Sequence, residues 1–364
     1  MDSRILSLDL TMDVASLTAA VCDIESVSLG EAALADAVEA ALRALGRLEV
    51  TRIGNTVVAR TALGRPERVV LAGHLDTVPL TVDPPNLPVR REDGPAGEVL
   101  RGRGTVDMKG GVAVMLRIAQ EVAEPPHDLT YVFYDGEEID ERFNGLLRVQ
   151  EEQPHLIADA DFAVLLEPTN GVVEGGCKGT LRAVVTTKGI AAHSARPWNG
   201  HNAIHAAAEV LSRLVAYEPV TRAVDGLEFH EAMNAVSVTG GIAGNVIPDR
   251  CEVTVNYRYA PSVTPEEAEA HVRELFAGFV VTVVDNAGGA RPGLDLPAAR
   301  DFVDALGLTV VAKQGWTDVA RFAAMGIPAV NFGPGDPNLA HHDDERCAVE
   351  QYRRCEHALL RWLS

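Results

Sequence analysis

Three apolar runs in the first half of the chain each end in residues that can bind a metal ion or transfer a proton. The runs cover residues 69–72, 129–134 and 162–166, and their length and composition predict buried strands of a mostly parallel sheet. The polar residues that follow them are His74, Asp76, Glu137, Glu138 and Glu167. Because ligands bind outside the carboxyl ends of the strands in open α/β sheets, this recurrence predicts a functional site at that edge.

The first of these strand ends places a histidine two residues before an aspartate. If the strand continues through Asp76, the side chains of His74 and Asp76 share one face, because strand side chains alternate with a period of two. An imidazole beside a carboxylate suits a metal ligand with the group that orients it. A buried histidine hydrogen-bonded to a nearby acid would give the same pattern, so this stretch alone leaves both interpretations open.

Asp107 and His341 extend the set of potential ligands. Asp107 lies in the glycine-rich turn 102–111, which leads into a predicted helix at 112–123, and His341 lies in the acidic stretch 340–345. Two imidazoles with several carboxylates are the ligand set of zinc and similar divalent ions, and a carboxylate such as Asp107 can bridge two ions. The order strand, G-x-G-x-x-G, helix is not met, so the turn does not favour a dinucleotide site.

The adjacent acids Glu137 and Glu138 can serve two different roles. Neighbouring residues in extended backbone point in opposite directions, so one carboxylate can bind a metal while the other faces a metal-bound water. A glutamate desolvated beside such a site has the modestly raised pKa that a general base needs. The alternative interpretation is a solvated acidic pair that merely follows a strand.

The order of predicted elements divides the chain into two domains. Residues 180–284 read β-α-β-β-α-β, which is the signature of a ferredoxin-like unit, and strand–helix alternation lies on both sides of them. We therefore predict an α/β fold with a doubly wound, mixed sheet, formed by residues 1–177 and 290–364. The ferredoxin-like α+β domain, residues 178–289, is predicted to be inserted into it.

Composition and charge exclude several classes of partner. A formal net charge of −20 over 364 residues leaves no basic stripe to neutralise phosphates, so nucleic acid is not expected as a partner. The five cysteines form no C-x-x-C pair and fit a reducing cytoplasm better than a disulfide framework. No signal-peptide pattern is present, and no apolar stretch approaches the roughly 18 residues of a membrane span. We therefore expect a cytoplasmic protein with no membrane partner.

The proline-containing polar segment 79–97 is predicted to be a surface loop.

Five motifs, in order along the chain, resemble those of the di-zinc amidohydrolase family that contains succinyl-diaminopimelate desuccinylase, acetylornithine deacetylase and glutamate carboxypeptidase. The motifs are His74-Leu75-Asp76-Thr77-Val78-Pro79, Gly104-Thr105-Val106-Asp107-Met108-Lys109-Gly110-Gly111, Glu137-Glu138, Glu167-Pro168-Thr169 and Ala340-His341-x-x-x-Glu345. The resemblance spans nearly the whole chain. It implies a zinc-peptidase-like catalytic domain and an inserted domain that forms a homodimer.

The resemblance also implies two zinc ions per subunit, which cobalt can replace. His74, Asp107 and Glu167 would hold one ion. Asp107, Glu138 and His341 would hold the other. The spacing to the following glutamate of the motif selects His341 over the neighbouring His342.

The same resemblance implies catalytic roles for three further residues. Asp76 would orient His74. Glu137 would activate a zinc-bridging water as general base and then act as general acid. His193, in the stretch 192–196, matches the family histidine that reaches across the dimer to the oxyanion, where charge develops as the carbonyl is attacked.

Within the family, closer resemblance points to the succinyl-diaminopimelate desuccinylases, particularly those of the actinobacterial type. The stretches that carry this similarity are 175–181, 192–196, 245–249, 257–261 and 315–322. The similarity implies hydrolysis of N-succinyl-LL-2,6-diaminopimelate to succinate and LL-2,6-diaminopimelate in lysine biosynthesis. It also implies that substrate carboxylates bind Arg258, with Asn245 and Thr317 as polar partners.

Two departures from the desuccinylase pattern concern positive charge. Residues 177–180 read Cys-Lys-Gly-Thr where many desuccinylases have Arg-Arg-Gly-Ser, and Arg196 stands where they often have tyrosine. An arginine lost at one position and gained at another would preserve recognition of an anion. Lys178 and Arg196 are therefore added to the predicted substrate-binding residues.

Two other classes of function remain open at this point. One is a related enzyme that acts on a small N-acyl amino acid or peptide, either an acetylornithine deacetylase-like deacylase or a carboxypeptidase. The other is a metal-binding homologue without catalysis. The intact Glu137, His193 and ligand set argue against the second class.

Overall fold

The computed structural model of the protein describes residues 7–95 and 97–364. The chain forms two compact units. The first comprises Met1–Gly175, Gly293–Val311 and Arg321–Ser364, and the second comprises Gly176–Pro292 and Ala312–Ala320.

The short segment 312–320 groups with the second unit, although the predicted division gave all of 290–364 to the catalytic domain. Hydrogen bonds explain this grouping. Gln314 bonds to the backbone of Glu228 and of His230, and the indole of Trp316 donates to the carbonyl of Gly288. The predicted role of the inserted domain in dimer formation stays a prediction.

The helices of the described residues are α1 Val14–Asp23, α2 Ala32–Ala44, α3 Lys109–Glu121, α4 Gly145–Glu152, α5 Ala203–Val215, α6 Pro265–Leu275, α7 Pro297–Leu306, α8 Val319–Ala324 and α9 Val349–Leu363. Local sequence sets several of their starts. Asp13 and Asn144 cap α1 and α4 through their side-chain oxygens, and Thr264 forms a capping box with Glu267 at the start of α6.

The strands are β1 Glu49–Ile53, β2 Thr56–Arg60, β3 Arg68–His74, β4 Arg90–Gly94, β5 Gly97–Arg101, β6 Asp128–Tyr134, β7 Phe162–Leu165, β8 Val173–Gly175, β9 Gly179–Lys188, β10 Ala192–His193, β11 Thr221–Val224, β12 Leu227–His230, β13 Ala232–Gly240, β14 Val246–Ile247, β15 Arg250–Tyr259, β16 Val280–Ala287, β17 Val310–Ala312, β18 Ala329–Asn331 and β19 Arg346–Ala348.

The first unit is built on a mixed sheet with the strand order β1-β2-β6-β3-β7-β18-β8-β17. Its four central strands, β6, β3, β7 and β18, are parallel, whereas β2 joins β6 and β8 joins β18 antiparallel. The predicted mixed α/β sheet is confirmed. Val69 and Leu71 of β3 lie in the main core with the side chains of α1, α3 and α9. Because β3 is central, its alternate residues are buried as well, as expected for parallel strands.

One prediction for this unit is wrong. Segment 79–97 is not a loop throughout, because it contains β4, which pairs antiparallel with β5. The residues of β4 are charged or glycine and largely exposed, so the hairpin carries no apolar alternation that would reveal it.

The second unit contains the predicted ferredoxin-like arrangement. The elements β9, α5, β13, β15, α6 and β16 follow one another along the chain, and the sheet order is β13-β15-β9-β16, with antiparallel pairing throughout. Residues of α5 and α6, among them Val210 and Val272, pack with one face of this sheet in a separate core. The opposite face carries polar side chains of β9 and β15.

Across the two described ranges, no helix is both long enough and apolar enough to cross a membrane.

Candidate metal centre

The ends of three adjacent parallel strands bring the predicted ligands to one edge of the sheet. In β3, His74 pairs in register with Tyr134 of β6, and Ala72 pairs with Leu165 of β7. The carboxyl ends of β6 and β7 therefore lie beside His74. Glu137 and Glu138 follow β6, and Glu167 follows β7 and is only 6% exposed.

Asp107 reaches the same edge because α3 begins unusually close to the strand ends. A Cβ on Gly111 would lie 2.3 Å from the carbonyl oxygen of Leu166, and one on Gly110 would lie 2.6 Å from the ring of Tyr352. Only glycine permits such approaches. The paired glycines after Asp107 thus let the first turn of α3 pack against the end of β7, just before Glu167.

The carboxylate of Asp107 lies between two imidazoles. Its Oδ1 is 3.1 Å from Nε2 of His74, and its Oδ2 is 3.3 Å from Nε2 of His341. The same nitrogen of His341 is 2.9 Å from the carboxylate of Glu138. Potential donor atoms of His74, Asp107 and Glu138 all lie within 4.8 Å of one another. One carboxylate that faces two imidazoles with different oxygens has the arrangement required of a bridging ligand.

The acids and histidines of this cluster shift one another's pKa values. Burial alone would lower the pKa of His74, but hydrogen bonds to Asp107 and Asp76 hold it well above its ordinary value. Hydrogen bonds to Asp107 and Glu138 raise the pKa of His341 to about 10. The pKa of Asp107 lies below its usual range, because bonds to the two histidines outweigh the effect of its burial. The converging acids therefore attract positive charge to this point of the molecule.

This donor set fits a divalent metal ion. Imidazole nitrogens and carboxylate oxygens are the ligands that zinc takes in hydrolytic sites, and the negative charge of the acids is what a cation would compensate. The donor atoms that converge here belong to His74, Asp107 and Glu138, with His341 bonded to the two acids, and the buried Glu167 follows the neighbouring strand end.

Asp76 lies beside His74, although not for the reason that strand alternation suggested. Strand β3 ends at His74, so Asp76 belongs to the turn that follows. Nδ1 of His74 is 3.0 Å from the backbone carbonyl of Asp76 and 3.5 Å from its carboxylate. The Asp76 carboxylate also accepts a hydrogen bond from Ser28 and from the backbone N–H groups of both Glu137 and Glu138.

The Glu137–Glu138 pair follows the strand, as predicted, and a turn precedes it. Both residues lie beyond the end of β6, after Gly136, whose φ of +69° turns the chain. The two side chains have separate environments. A carboxylate oxygen of Glu138 lies within the donor group of His74 and Asp107, and the charge of Glu137 acts on His74.

Sequence reasoning missed two residues that connect this cluster. Glu345 and Arg103 form an ion pair of 2.9 Å in which both side chains are almost completely buried. Glu345 also accepts the backbone N–H of Asp107 at 3.2 Å. The spacing of four residues between His341 and Glu345 in their shared motif is the sequence signal that could identify Glu345.

The remaining predicted residues belong to the second unit. His193 ends the short strand β10 and is exposed, and its Nδ1 accepts the N–H of Ala195 at 3.0 Å. Asn245 lies beside it, because its carbonyl accepts the N–H of Ser194 at 2.9 Å. Arg196 is exposed next to them, and its N–H donates to the carbonyl of His193.

Two of the predicted substrate-binding cations lie close together in the second unit. Arg258 is half-buried in β15, and its Nε donates to Oδ1 of Asn256. Nζ of the buried Lys178 donates to the carbonyl of His230 at 2.6 Å. Burial and, after it, the charge of Arg258 lower the pKa of Lys178. The buried Thr317 lies near Cys177, whose Sγ is 3.7 Å from the Thr317 carbonyl.

A mixed α/β sheet whose parallel strands end in a cluster of histidines and acids defines a metal-dependent hydrolase. The chain belongs to the peptidase family M20/M25/M40, whose sequence profile matches residues 70–364.

Two relatives match nearly the full length. A Mycobacterium tuberculosis protein, named as a candidate succinyl-diaminopimelate desuccinylase, is 53% identical over 359 residues, which cover 98% of this chain and 99% of the relative. The succinyl-diaminopimelate desuccinylase of Corynebacterium glutamicum is 45% identical over 368 residues, with 98% of each chain covered.

Solved structures support the fold. A tripeptidase from Staphylococcus aureus superposes with a TM-score of 0.78 at 21% identity and covers 98% of both chains. A dinuclear metal-binding M20 peptidase from Bacillus subtilis superposes with a TM-score of 0.67 at 15% identity, covering 96% of each chain. The fold predicted from the motifs is thereby confirmed.

Proposed function

We propose that this hydrolase cleaves the amide bond of N-succinyl-LL-2,6-diaminopimelate to give succinate and LL-2,6-diaminopimelate. The geometric observation that carries metal-dependent hydrolysis is the carboxylate of Asp107, whose two oxygens face His74 and His341. The choice of acyl substrate rests on the near-full-length similarity to the Corynebacterium glutamicum enzyme.

The proposed cofactor is a pair of zinc ions, which cobalt can replace. His74, Asp107 and Glu167 would hold one ion, and Glu138 and His341 would hold the other together with Asp107. Zinc, when bound, supplies a Lewis acid that polarises the amide carbonyl and makes water a better nucleophile at neutral pH.

Glu137 is the proposed proton carrier of the reaction. Its carboxylate accepts a proton from the attacking water as the water oxygen bonds to the carbonyl carbon. When the carbon–nitrogen bond breaks, Glu137 returns the proton to the departing nitrogen, so that succinate and a free amine leave. Asp76 supports this role, because its carboxylate holds the backbone N–H of Glu137 at 3.0 Å.

Binding of the anionic substrate is assigned to positively charged and polar groups of the second unit. Arg258 is the principal candidate, because its planar guanidinium can pair with a carboxylate through two hydrogen bonds. The proximity of Lys178 supports a shared anion-binding region. Arg196, Asn245 and Thr317 are the further proposed contacts.

We also propose a homodimer formed through the second unit. Strand β13 is an edge of its sheet, and its side chains Val236 and Val238 are 58% and 53% exposed. An exposed apolar edge strand is a surface that a second copy can cover by strand pairing. In this dimer, His193 would stabilise the oxyanion in the catalytic centre of the other subunit.

A comparison of three substrate types tests the proposed activity. Purified zinc-loaded enzyme is assayed with N-succinyl-LL-2,6-diaminopimelate, N-acetylornithine and a panel of dipeptides. The proposal requires the succinylated substrate to give the highest kcat/KM. The presence of Lys178 in place of an arginine favours a shifted acyl preference as the second candidate, and a higher kcat/KM for N-acetylornithine or a dipeptide would establish a deacylase or carboxypeptidase instead.

A further inference from the structure

Glu345 is a buried acid that joins two separate turns of the first unit. Its side chain is 1% exposed, and each of its oxygens has its own partners. Oε1 accepts the backbone N–H of Val106 at 2.8 Å and of Asp107 at 3.2 Å. Oε2 accepts a hydrogen bond from Arg103 at 2.9 Å. Both carboxylate oxygens therefore accept hydrogen bonds from the turn that carries Asp107.

The backbone of Glu345 belongs to the other turn, which carries His341. Its N–H donates to the carbonyl of His342 at 3.1 Å, and its carbonyl accepts the N–H of Gly102 at 3.0 Å. The guanidinium of Arg103 lies 3.4 Å from the carbonyl of His342. The pair Glu345–Arg103 thus connects the 102–107 turn to the 341–345 turn through both side chains and backbone.

His341 needs such support because its backbone is strained. Its φ is +62°, in the left-handed region that residues other than glycine seldom adopt. Strained conformations of this kind persist where the surrounding contacts determine them, and they cluster at functional sites. The half-exposed imidazole of His341 has little packing of its own, so its position depends on the turn that ends at Glu345.

We infer that Glu345, together with Arg103, is a positioning residue that sets the separation of Asp107 and His341 and thereby the affinity of the metal site they share. This inference rests on the proposed metal-dependent function. It assigns to Glu345 no contact with a metal ion or with the substrate. Both oxygens of Glu345 accept from donors, so an amide in its place would set an NH₂ group either against the guanidinium of Arg103 or against the backbone N–H groups of Val106 and Asp107.

A matched control exists in the same unit. Glu356 of α9 is also largely buried and pairs with Arg117 of α3 at 2.8 Å. This pair joins two helices, whereas Glu345–Arg103 joins the two ligand-bearing turns. Glu345→Gln and Glu356→Gln therefore remove the same charge from the same kind of buried ion pair.

The test measures zinc affinity as well as stability. Zinc is titrated into the metal-free wild type, Glu345→Gln and Glu356→Gln in competition with a chelator, and the melting temperature of each metal-free protein is recorded. Glu345→Gln should weaken one of the two zinc sites about 10- to 100-fold, the usual effect of losing a group that orients a ligand. Glu356→Gln should lower the melting temperature but leave both affinities unchanged.

The outcomes separate this inference from the proposed function. If the wild type binds two zinc ions and Glu345→Gln binds both as tightly, or loses affinity only as much as Glu356→Gln, the positioning role is overturned. If the wild type binds no zinc, the metal-dependent function fails and the role of Glu345 falls with it. Should Glu345→Gln not fold, Arg103→Lys is measured in the same way, and unchanged zinc affinity in that variant overturns the inference.

Discussion

Oδ1 of Asp76 accepts the backbone N–H of Glu137 at 3.0 Å, so the acid beside His74 also holds the segment that carries the proposed general base. Its second oxygen accepts the N–H of Glu138 at 3.1 Å and the hydroxyl of Ser28 at 2.8 Å. Asp76 therefore links the end of β3 to the residues after β6. Its contacts therefore extend beyond the single imidazole of His74.

Asp76→Asn should lower kcat more than Ser28→Ala does, which removes only the hydroxyl bonded to Asp76. The amide that replaces one oxygen cannot accept a backbone N–H, so either Glu137 or Glu138 loses its anchor. We expect kcat to fall about 10- to 100-fold, in the range seen when groups around metal ligands are lost. Ser28→Ala, which removes one hydrogen bond to the same carboxylate, should cost less. Equal kcat for Asp76→Asn and the wild type would contradict this role.

Glu137 and Glu138 should give opposite results when replaced. Glu137→Gln should keep its zinc and lose about a hundred- to ten-thousand-fold in kcat, because a proton acceptor is lost while the ligands stay. Glu138→Ala should lose zinc, because Glu138 is a member of the ligand cluster. Metal analysis alongside initial rates distinguishes the two variants. Zinc loss in Glu137→Gln with full zinc in Glu138→Ala would mean that the assignments are reversed.

The sequence predicted the ends of the strands but not the contacts that fix the groups there. Apolar runs such as 69–72 are local signals, and the parallel-sheet interpretation places their ends at one edge. The bond from the Asp107 N–H to Glu345 joins residues 238 positions apart, and that from Glu137 to Asp76 joins residues 61 apart. Such bonds depend on how the turns meet after folding, which no local pattern records.

The other feature that the hydrophobic pattern of the sequence did not predict is the exposed polar hairpin of β4 and β5. β4 consists of arginines, acids and glycine, and it pairs with β5 through backbone hydrogen bonds. Without a buried face there is no alternation to detect. The ferredoxin-like domain was predictable for the opposite reason, because β9 and β15 alternate buried and exposed residues beneath helices α5 and α6.

Asp128, at the start of β6, should make folding stability depend on pH. Burial raises the pKa of Asp128, but bonds from the Thr61 hydroxyl and from two backbone N–H groups outweigh it, so its pKa in the folded protein is lowered. A carboxyl whose pKa is lower when folded stabilises the protein above its unfolded pKa of about 3.9. That stabilisation is lost as the pH falls through the folded value.

Asp128→Ala should therefore reduce the free energy of unfolding by about 1–3 kcal/mol at pH 7, and the difference from wild type should shrink below about pH 4. Asp159→Ala is the control, because Asp159 is half exposed and its ion pairs with Arg60 and Arg68 are each worth at most about 1 kcal/mol. Urea denaturation at pH 7 and pH 3 measures both variants. A pH-independent difference for Asp128→Ala would refute the electrostatic explanation.

Arg258 should be required for binding of the substrate carboxylate. A charge-assisted hydrogen bond is worth about 1.5–3 kcal/mol, so Arg258→Ala should lower kcat/KM for the succinylated substrate at least tenfold. Arg250, at the start of the same strand, is 64% exposed and pairs with Glu252, so Arg250→Ala should leave kcat/KM unchanged. Both variants are compared at full zinc content. Unchanged kcat/KM in Arg258→Ala would remove this arginine from the site.

His193 should act on the catalytic centre of the other subunit, and subunit exchange can test this directly. Glu137→Ala and His193→Ala homodimers should each be inactive. In a hybrid, the chain with intact Glu137 receives His193 from its partner, so one of its two sites becomes complete.

Random exchange of equal amounts makes half of all dimers hybrids, so the mixture should recover about a quarter of wild-type activity, as follows from a two-fold symmetric dimer. Mixing His193→Ala with the Glu137→Ala/His193→Ala double variant is the control, because its hybrids contain no His193 and should stay inactive. Two affinity tags isolate the hybrid and verify exchange. A purified hybrid of the two single variants without activity would show that His193 does not act across the dimer, since every other group of the complete site is present in it.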